Sequence, residues 1–186
     1  NVLDEGDVLT AVVEGTITDF GTAANKVTSY KVMRGETEVT ENYTFGESVN
    51  GTLEVTKRSV TLTSATDSKE YDGTPLTNEE VTVGGDGFAN GEGATYDVTG
   101  TILDPGTADN AFTYTLNEGT NADNYAITTE KGTLTVTKVT SEIVITAASQ
   151  SRAYNGQPLT NGGYTYTENV LAEGDVLTAV VEGTIT

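Results

Sequence analysis

One segment of the chain occurs twice, near its two ends, and this duplication limits the possible folds more than any other feature. Residues 1–18 recur as residues 169–186, and the only difference is Asp4 in the first copy against Ala172 in the second. Such near-identity over a long stretch is the mark of a tandem repeat. The repeat period is about the length of two small domains. We therefore expect a fold that a chain can build many times in succession.

A shorter and weaker repeat lies within this period. Several motifs occur twice in the same order: 71–78 (YDGTPLTN) with 154–161 (YNGQPLTN), 100–108 (GTILDPGTA) with 15–23 (GTITDFGTA), Asn124-Tyr125 with Asn42-Tyr43, and 132–138 (GTLTVTK) with 51–57 (GTLEVTK). Their order predicts a domain that runs from a first strand to the GTLxVTK strand.

On this frame the chain holds one complete domain, residues 58–138. Residues 1–57 are the second half of a preceding domain, and residues 139–186 are the first half of a following one. The two halves are complementary, because residues 139–186 joined to residues 19–57 would rebuild one intact domain. Two domain types are therefore expected to alternate along the parent array.

Apolar residues alternate with polar ones, mostly threonine, through the complete domain. This period of two predicts half-buried strands, and threonine suits the solvent face of a strand. The residues predicted to share a face are Val60 and Leu62, Val81 and Val83, Tyr96 and Val98, Phe112, Tyr114 and Leu116, Tyr125 and Ile127, and Leu134 and Val136. Turn sequences separate about six or seven such strands.

The fold class that follows is all-β, with tandem small β-sandwich domains of the immunoglobulin-like kind. A β-grasp-like repeat is the alternative, and a helix of three turns across the sheet would decide in its favour. Residues 107–110 are the only candidate for a short helix, because no stretch shows a sustained period of 3.6 residues with capping residues.

Charge and missing residue types argue against several functions. The chain has 28 acidic and 9 basic residues, a formal net charge of −19, and neither His nor Cys. Nucleic acid is not an expected partner, because its binding depends on Lys and Arg at the phosphates. Without His or Cys the common Ser-His and Cys-His nucleophile pairs cannot form, so we expect no enzyme. No apolar run approaches the roughly 20 residues of a spanning helix, and we expect no membrane insertion.

The Tyr-Asp/Asn-Gly-x-Pro-Leu motif is the most distinctive local signal. We predict a structural turn at the end of the first strand, with Tyr packed over the edge of the core, Gly at positive φ and Pro fixing the next residue. The alternative is a recognition loop that presents the two tyrosines. The residues concerned are Tyr71, Asp72, Gly73 and Pro75, with Tyr154, Asn155, Gly156 and Pro158.

Calcium is the one cofactor that the composition suggests, because Ca²⁺ takes six to eight oxygen ligands and would offset the negative charge. No known calcium-loop spacing is present, so solvated turns are the default interpretation and no cofactor is expected. The candidate ligands are Asp104, Asp109 and Asp123, with Asp97, Asn110 and Asn124 as further oxygen donors.

The YDGTPLTN and YNGQPLTN segments, each followed in the repeat frame by an Asn-Tyr pair and a GTLxVTK strand, resemble the YDG or MBG-type repeats of bacterial, mainly Gram-positive, cell-surface proteins. The resemblance covers essentially the whole chain. It implies an extracellular, cell-wall-anchored protein with a long array of β domains, some associated with adhesion or mucin binding, and it implies no catalytic residues. Asn155 departs from the Tyr-Asp-Gly form, which a turn tolerates. Any signal or anchor is expected outside these residues.

We expect a mechanical function, in which each repeat is a bead of a stalk or fibre that projects a distal adhesive region. Negative charge would keep such a stalk extended. Direct adhesion to host glycan or mucin is the first alternative, since repetition gives weak sites avidity. Self-assembly into a filament is the second, because each terminal half lacks the strands that the other carries. Neighbouring repeats are the partners expected in every case.

Overall fold

The computed structural model describes residues 3–183 and 185, and it is built almost entirely from strands. The strands are β1 Asp7–Glu14, β2 Gly21–Arg34, β3 Thr37–Glu38, β4 Gly51–Val55, β5 Arg58–Ser64, β6 Asp67–Glu70, β7 Val81–Gly85, β8 Ala94–Val98, β9 Gly106–Asp109, β10 Phe112–Leu116, β11 Tyr125–Glu130, β12 Thr133–Thr137, β13 Ile145–Ala147 and β14 Tyr164–Tyr166. Two single 3₁₀ turns, Thr40–Asn42 and Ala122–Asn124, are the only helical elements among the described residues. The predicted all-β class is confirmed, and the arrangement is consistent with a sandwich. The three-turn helix of a β-grasp repeat is not found in the described part of the chain.

Residues 107–110, the only candidate for a short helix, do not form one. Gly106–Asp109 forms β9, which pairs antiparallel with β12 from Thr133↔Asp109 to Val136↔Gly106. The ladder with β12 satisfies the backbone groups that a helix would otherwise satisfy. A partner distant in sequence therefore overrides the weak local helix signal.

Several small sheets make up the fold. Residues 3–57 form one in which β2 pairs with β1, β3 and β4. Within residues 58–138, β5 lies between β11 and β7, β12 lies between β6 and β9, and β8 pairs with β10. The hairpin of β13 and β14 lies in residues 139–185. The pairing of β12 with β6 is parallel, from Leu134↔Asp67 to Thr137↔Glu70.

In residues 58–138, called the central domain after the repeat frame, the core follows the predicted alternation. On β12, Leu134 and Val136 are buried while their neighbours are not, and Leu76 packs with them. Tyr71 and Ile102 lie against this cluster and are partly buried. On β5, the alternating residues Val60, Leu62 and Ser64 are buried.

A buried polar residue ties this core together. Asn110 is fully buried, and its amide nitrogen donates to the carbonyls of Ala65 (3.0 Å) and Asn78 (2.9 Å). The Ser64 hydroxyl donates to the Asn110 carbonyl at 2.6 Å and accepts from the Gly132 N–H at 3.0 Å. The amide nitrogen makes two hydrogen bonds, whereas the Asn110 side-chain oxygen is buried without a hydrogen-bond partner among the described residues. The contacts fix the backbone of four separate stretches at one point.

Gly132 allows this close approach. A Cβ at Gly132 would lie 2.2 Å from the Ala65 carbonyl oxygen, which is a backbone atom. A Cβ at Gly100 would likewise lie 2.5 Å from the Asn110 Cα. Both glycines are needed because of space, since a larger residue would push backbone against backbone.

The described chain divides into two compact units. One unit consists of Asn1–Val60, Gly85–Gly93 and Leu116–Thr128, and the other consists of Thr61–Gly84, Ala94–Thr115 and Thr129–Thr186. Each unit therefore draws on more than one stretch of sequence. The domain bounds 1–57, 58–138 and 139–186 come from the repeats and stay a prediction.

Candidate functional site

The YDG motif of the central domain is a turn clasped by a lysine. Gly73 has φ of +80°, and the Asp72 carboxylate accepts hydrogen bonds from the Thr74 backbone N–H (2.9 Å) and hydroxyl (2.7 Å). Lys69 Nζ lies 2.7 Å from the same carboxylate oxygen. The Lys69 ammonium, followed by the two bonds from Thr74, lowers the pKa of Asp72. The turn follows β6, so a short second strand separates it from β5, where the sequence predicted it directly after the first strand.

The second copy of the motif builds the same turn with different chemistry. Gly156 has φ of +73°, and the Asn155 side-chain oxygen accepts from the Gln157 N–H at 3.2 Å. Arg152 replaces Lys69 and donates to the Gln157 carbonyl. A cation before the turn and a side-chain oxygen inside it are thus common to both copies.

Each turn leads into a backbone β-bridge at the equivalent position of the repeat. The Leu76 N–H donates to the Ile102 carbonyl at 2.8 Å, and the Leu159 N–H donates to the Ile185 carbonyl at 3.0 Å. Pro75 and Pro158 each come directly before the bridging leucine. In each copy the motif therefore forms a turn that leads into a backbone bridge.

The two motif tyrosines differ in their surroundings. Tyr71 is partly buried against Leu134 and Val136, whereas Tyr154 is 95% exposed. In the repeat, Leu53 and Val55 correspond to Leu134 and Val136, and they lie in residues 3–57. Tyr71 packs against β12. Tyr154 is exposed because the counterpart of β12, which is β4, lies in the other terminal half of the repeat.

A second tyrosine makes a clasp that the sequence did not predict. The Tyr125 hydroxyl donates to the Glu92 carboxylate at 2.6 Å and accepts from the Ala89 N–H at 3.0 Å. Both tyrosines of the Asn-Tyr pairs follow a 3₁₀ turn. The repetition of the Asn-Tyr pair is the sequence signal for this clasp. It does not identify the carboxylate partners of the tyrosines, which lie more than thirty residues away.

Residues 3–57 make the same clasp with their own side chains. The Tyr43 hydroxyl donates to Asp7 at 2.6 Å and accepts from the Asp4 N–H at 3.0 Å. Arg34 adds a bidentate ion pair to Asp7, at 2.6 and 2.9 Å. The Arg34 guanidinium, and next the Tyr43 hydroxyl, lower the pKa of Asp7.

One tight turn occurs three times, before β1, before β8 and before residues 175–182. The N–H of Asp7 donates to the Asp4 carbonyl at 3.1 Å, that of Glu92 to Ala89 at 3.0 Å, and that of Asp175 to Ala172 at 3.1 Å. Gly6, Gly91 and Gly174, one residue before the donor in each case, have φ of +85°, +84° and +90°.

The duplicated segment that follows this turn has two conformations. Asp7–Glu14 is β1, paired with β2 along its length. Residues 175–182 have the same sequence but form no strand, and Val176 and Val180 are 84% and 88% exposed. Since the sequences are identical, the presence of a partner strand decides the conformation.

The strand register within residues 3–57 also agrees with the register within the central domain. β12 pairs with β9 through Val136↔Gly106, and β4 pairs with β2 through the corresponding residues, Val55↔Gly21. β12 carries β6 on its other edge. Within the described residues, β4 pairs with β2 alone.

Side chains link successive segments of the repeat. The Asn124 amide oxygen accepts from the Phe20 N–H at 2.7 Å, and its nitrogen donates to Asp19 at 2.8 Å. The Lys57 ammonium lies 4.9 Å from the centre of the Phe20 ring, within the range of a cation–π contact.

A similar tie joins the central and last segments. The backbone N–H and hydroxyl of Thr140 both donate to the Glu70 carboxylate, at 3.1 and 2.8 Å. The first linker is short, because β4 ends at Val55 and β5 begins at Arg58, whereas residues 138–144 separate β12 from β13.

The calcium candidates lie at separate exposed positions: Asp104 in a bend, Asp109 at the end of β9 and Asp123 in a 3₁₀ turn. Asp104, Asp109 and Asp123 are all exposed, and Asp109 faces Lys131 at 3.3 Å. Among residues 3–183 and 185, no three Asp or Glu side chains come together as a metal-binding group. Two of the further oxygen donors have other roles, since Asn110 is a core residue and Asn124 binds Asp19.

An open cleft of about 720 Å³ lies beside the β14 strand. Its lining includes Tyr164, Tyr166, Glu168 and Asp175. The Tyr164 hydroxyl donates to the Leu177 carbonyl at 3.2 Å, and Tyr166 is 38% exposed. Aromatic faces beside carboxylates are suited to stacking and hydrogen bonding with a polar ligand.

The chain matches no protein-family model, and no curated protein or solved structure was found to be similar to it. In the part of the chain that the structure describes, no helix is long and apolar enough to cross a membrane.

Proposed function

We propose that the chain is a structural repeat module of a bacterial cell-surface stalk or fibre, extracellular and anchored to the wall through regions outside these residues, that projects a distal adhesive region. One observation carries the proposal: the turns, clasps and registers of one segment recur in the next, and direct hydrogen bonds join the segments at both junctions.

The junction at Asn124 is central to a mechanical role. A stalk transmits length only if successive modules resist bending, and bonds to Asp19 and Phe20 on the preceding segment restrict that motion. The net charge of −19 makes neighbouring modules repel one another, which favours extension over collapse. On this proposal the useful property of the chain is the length that it adds to the stalk, rather than chemistry at a pocket.

Spin-label distance measurements test this role. The chain has no Cys, so cysteines introduced at the exposed positions Lys31 and Glu118, in the preceding and central segments of one compact unit, would be the only labelled sites. We expect one narrow distance distribution, which Asn124→Ala broadens and Asn90→Ala, at an exposed position, leaves unchanged. A broad distribution in the unaltered background would contradict a stiff stalk.

Direct adhesion is the second candidate, and the cleft beside β14 favours it. Tyr164 and Tyr166 with Glu168 offer the stacking face and hydrogen-bond acceptors that a sugar needs. A glycan and mucin array probed with the chain tests this function. Binding that Tyr166→Ala abolishes would support adhesion, and an array without signal would leave the stalk as the better proposal.

A further inference from the structure

The central domain shows how the two terminal halves of the repeat fit together. In that domain β12 is the middle strand of a sheet, with β9 on one edge and β6 on the other. Residues 3–57 contain the counterparts of β12 and β9, namely β4 and the start of β2, in the same register. The counterpart of β6 is residues 150–153, which lie in the other terminal half.

From this we propose that residues 141–166 of one copy of the chain complete the open sheet edge of β4 in a second copy, so that chains join head to tail. Residues 150–153 would add parallel to β4, in the register that β6 has with β12. The inference rests on the repeat geometry and does not depend on the stalk proposal.

The apolar surfaces of the two halves match. Leu134 and Val136 are 0% and 2% exposed beneath Tyr71 and Leu76, whereas their counterparts Leu53 and Val55 are only partly buried. The counterpart of Tyr71, Tyr154, is almost fully exposed. Packing Tyr154 over Leu53 and Val55 of a second copy would remove apolar surface from water on both chains.

The buried amide has a counterpart with matching partners. Asn25 occupies the position of Asn110, in the sequence GTAAN against GTADN. The carbonyls that Asn110 binds belong to Ala65 and Asn78, and their counterparts are Ala148 and Asn161, in the other half. Asn25 is only partly buried in the single chain. Docking of a second copy would bring the two carbonyls to its amide.

In the proposed assembly the second copy keeps its own strand β1 in place. β1 stays paired with β2, so residues 175–182 of the first copy, which repeat its sequence, are redundant in the joined domain. The joined domain draws its remaining strands from residues 141–166, including the β13–β14 hairpin. Both halves are present in every chain, so the contact repeats at each end.

Substitution of one glycine, Gly51, should disturb this assembly without disturbing the fold of the single chain. A Cβ at Gly51 has nothing nearer than the Asn25 Cβ at 3.6 Å, which is ordinary contact. In the intact domain a Cβ at its counterpart, Gly132, would lie 2.2 Å from the Ala65 carbonyl oxygen. Gly51→Ala should therefore be harmless within one chain and should clash at the proposed contact.

Sedimentation velocity across roughly a hundredfold range of concentration tests the proposal, because association must depend on mass action. We expect the 186-residue chain to form species larger than a monomer, and association to strengthen with salt, since salt screens repulsion between chains of charge −19. Gly51→Ala should weaken association about tenfold or more. Gly46→Ala is the matched control, because its counterpart is Thr128 and a side chain fits there.

A second pair of variants tests the apolar contact without adding bulk at Gly51. Tyr154→Ser should weaken association to a similar degree, while Asn50→Lys, whose counterpart is the exposed Lys131, should not. Circular dichroism of each variant would show that the single chain still folds. A monomer at every concentration, or equal association by the Gly51 and Gly46 variants, would overturn the proposal.

Crosslinking tests the register directly. Thr135 pairs with Ser68 in the central domain, and the counterparts are Glu54 and Ser151. Mixing a Glu54→Cys chain with a Ser151→Cys chain under mild oxidation should give a mixed disulfide dimer. Glu54→Cys mixed with Thr146→Cys, on the other sheet, should give much less. Equal yields would rule out the proposed register.

Discussion

The Tyr125 hydroxyl donates a hydrogen bond of 2.6 Å to the Glu92 carboxylate. Tyr43 and Asp7 form the same bond, also at 2.6 Å. In both cases the tyrosine follows a 3₁₀ turn and the carboxylate ends a tight turn more than thirty residues earlier. The clasp therefore joins two turns that no strand pairing connects, and it recurs because the repeat preserves both ends.

Tyr125→Phe should destabilise the central domain by about 1–2 kcal/mol, because it removes a hydrogen bond to a charged group and leaves the Ala89 N–H without its acceptor. Urea unfolding followed by circular dichroism measures the change. Tyr114→Phe, on the partly exposed face of β10, should change stability by less than about 0.5 kcal/mol. Equal effects of the two variants would show that the clasp contributes nothing.

Asn110→Ala should be more costly than the loss of the clasp. The change deprives two carbonyls, those of Ala65 and Asn78, of their donor inside the core, and we expect a loss of about 2–3 kcal/mol. Asn90→Ala is the surface control. An Asn110→Ala chain as stable as the control in urea would contradict the role assigned to this amide.

Acid should selectively weaken the Arg34–Asp7 pair. The pKa of Asp7 is lowered in the folded chain, first by Arg34 and then by Tyr43, from the usual value of about 3.9. A lowered pKa stabilises the fold above the unfolded value, and this stabilisation is lost as pH falls through the folded pKa. The melting temperature of the unaltered chain should therefore exceed that of Asp7→Asn at pH near 5, and the gap should close towards pH 2.

Comparison with the variant is needed because acid also neutralises other carboxylates of this chain, which relieves repulsion and acts in the opposite direction. Glu5→Gln, at an exposed position on the same turn, serves as the control. A gap between the unaltered chain and Asp7→Asn that stays constant with pH would show that the pair has no pH-dependent contribution.

Local features of the fold could be predicted from the sequence. The alternation on β5 and β12 predicted their buried faces, because side-chain direction in a strand depends on position alone. Gly73 and Gly156 have the predicted positive φ, since turn conformation depends on adjacent residues.

Features that depend on distant partners could not be predicted. The sequence leaves residues 107–110 as a candidate for a short helix, because β12, which holds Gly106–Asp109 as a strand, lies more than twenty residues away. Asn110 was considered a calcium ligand, whereas its burial results from the approach of Ala65 and Asn78. The difference in burial between Tyr71 and Tyr154 could likewise not be predicted. It depends on which strands surround each motif rather than on the residues of the motif itself.

The duplicated segment allows a test in which the sequence is its own control. Residues 7–14 and 175–182 are identical, so their amides have nearly the same intrinsic exchange rates, yet only the first copy has a partner strand. Hydrogen exchange should therefore be slowed strongly, by about tenfold or more, in the first copy relative to the second, because exchange from a ladder requires local opening. Peptides that extend to Asp4 or Ala172 differ in mass and separate the two copies. Equal protection would mean that this sequence forms a strand without β2, and the partner would then not be what decides its conformation.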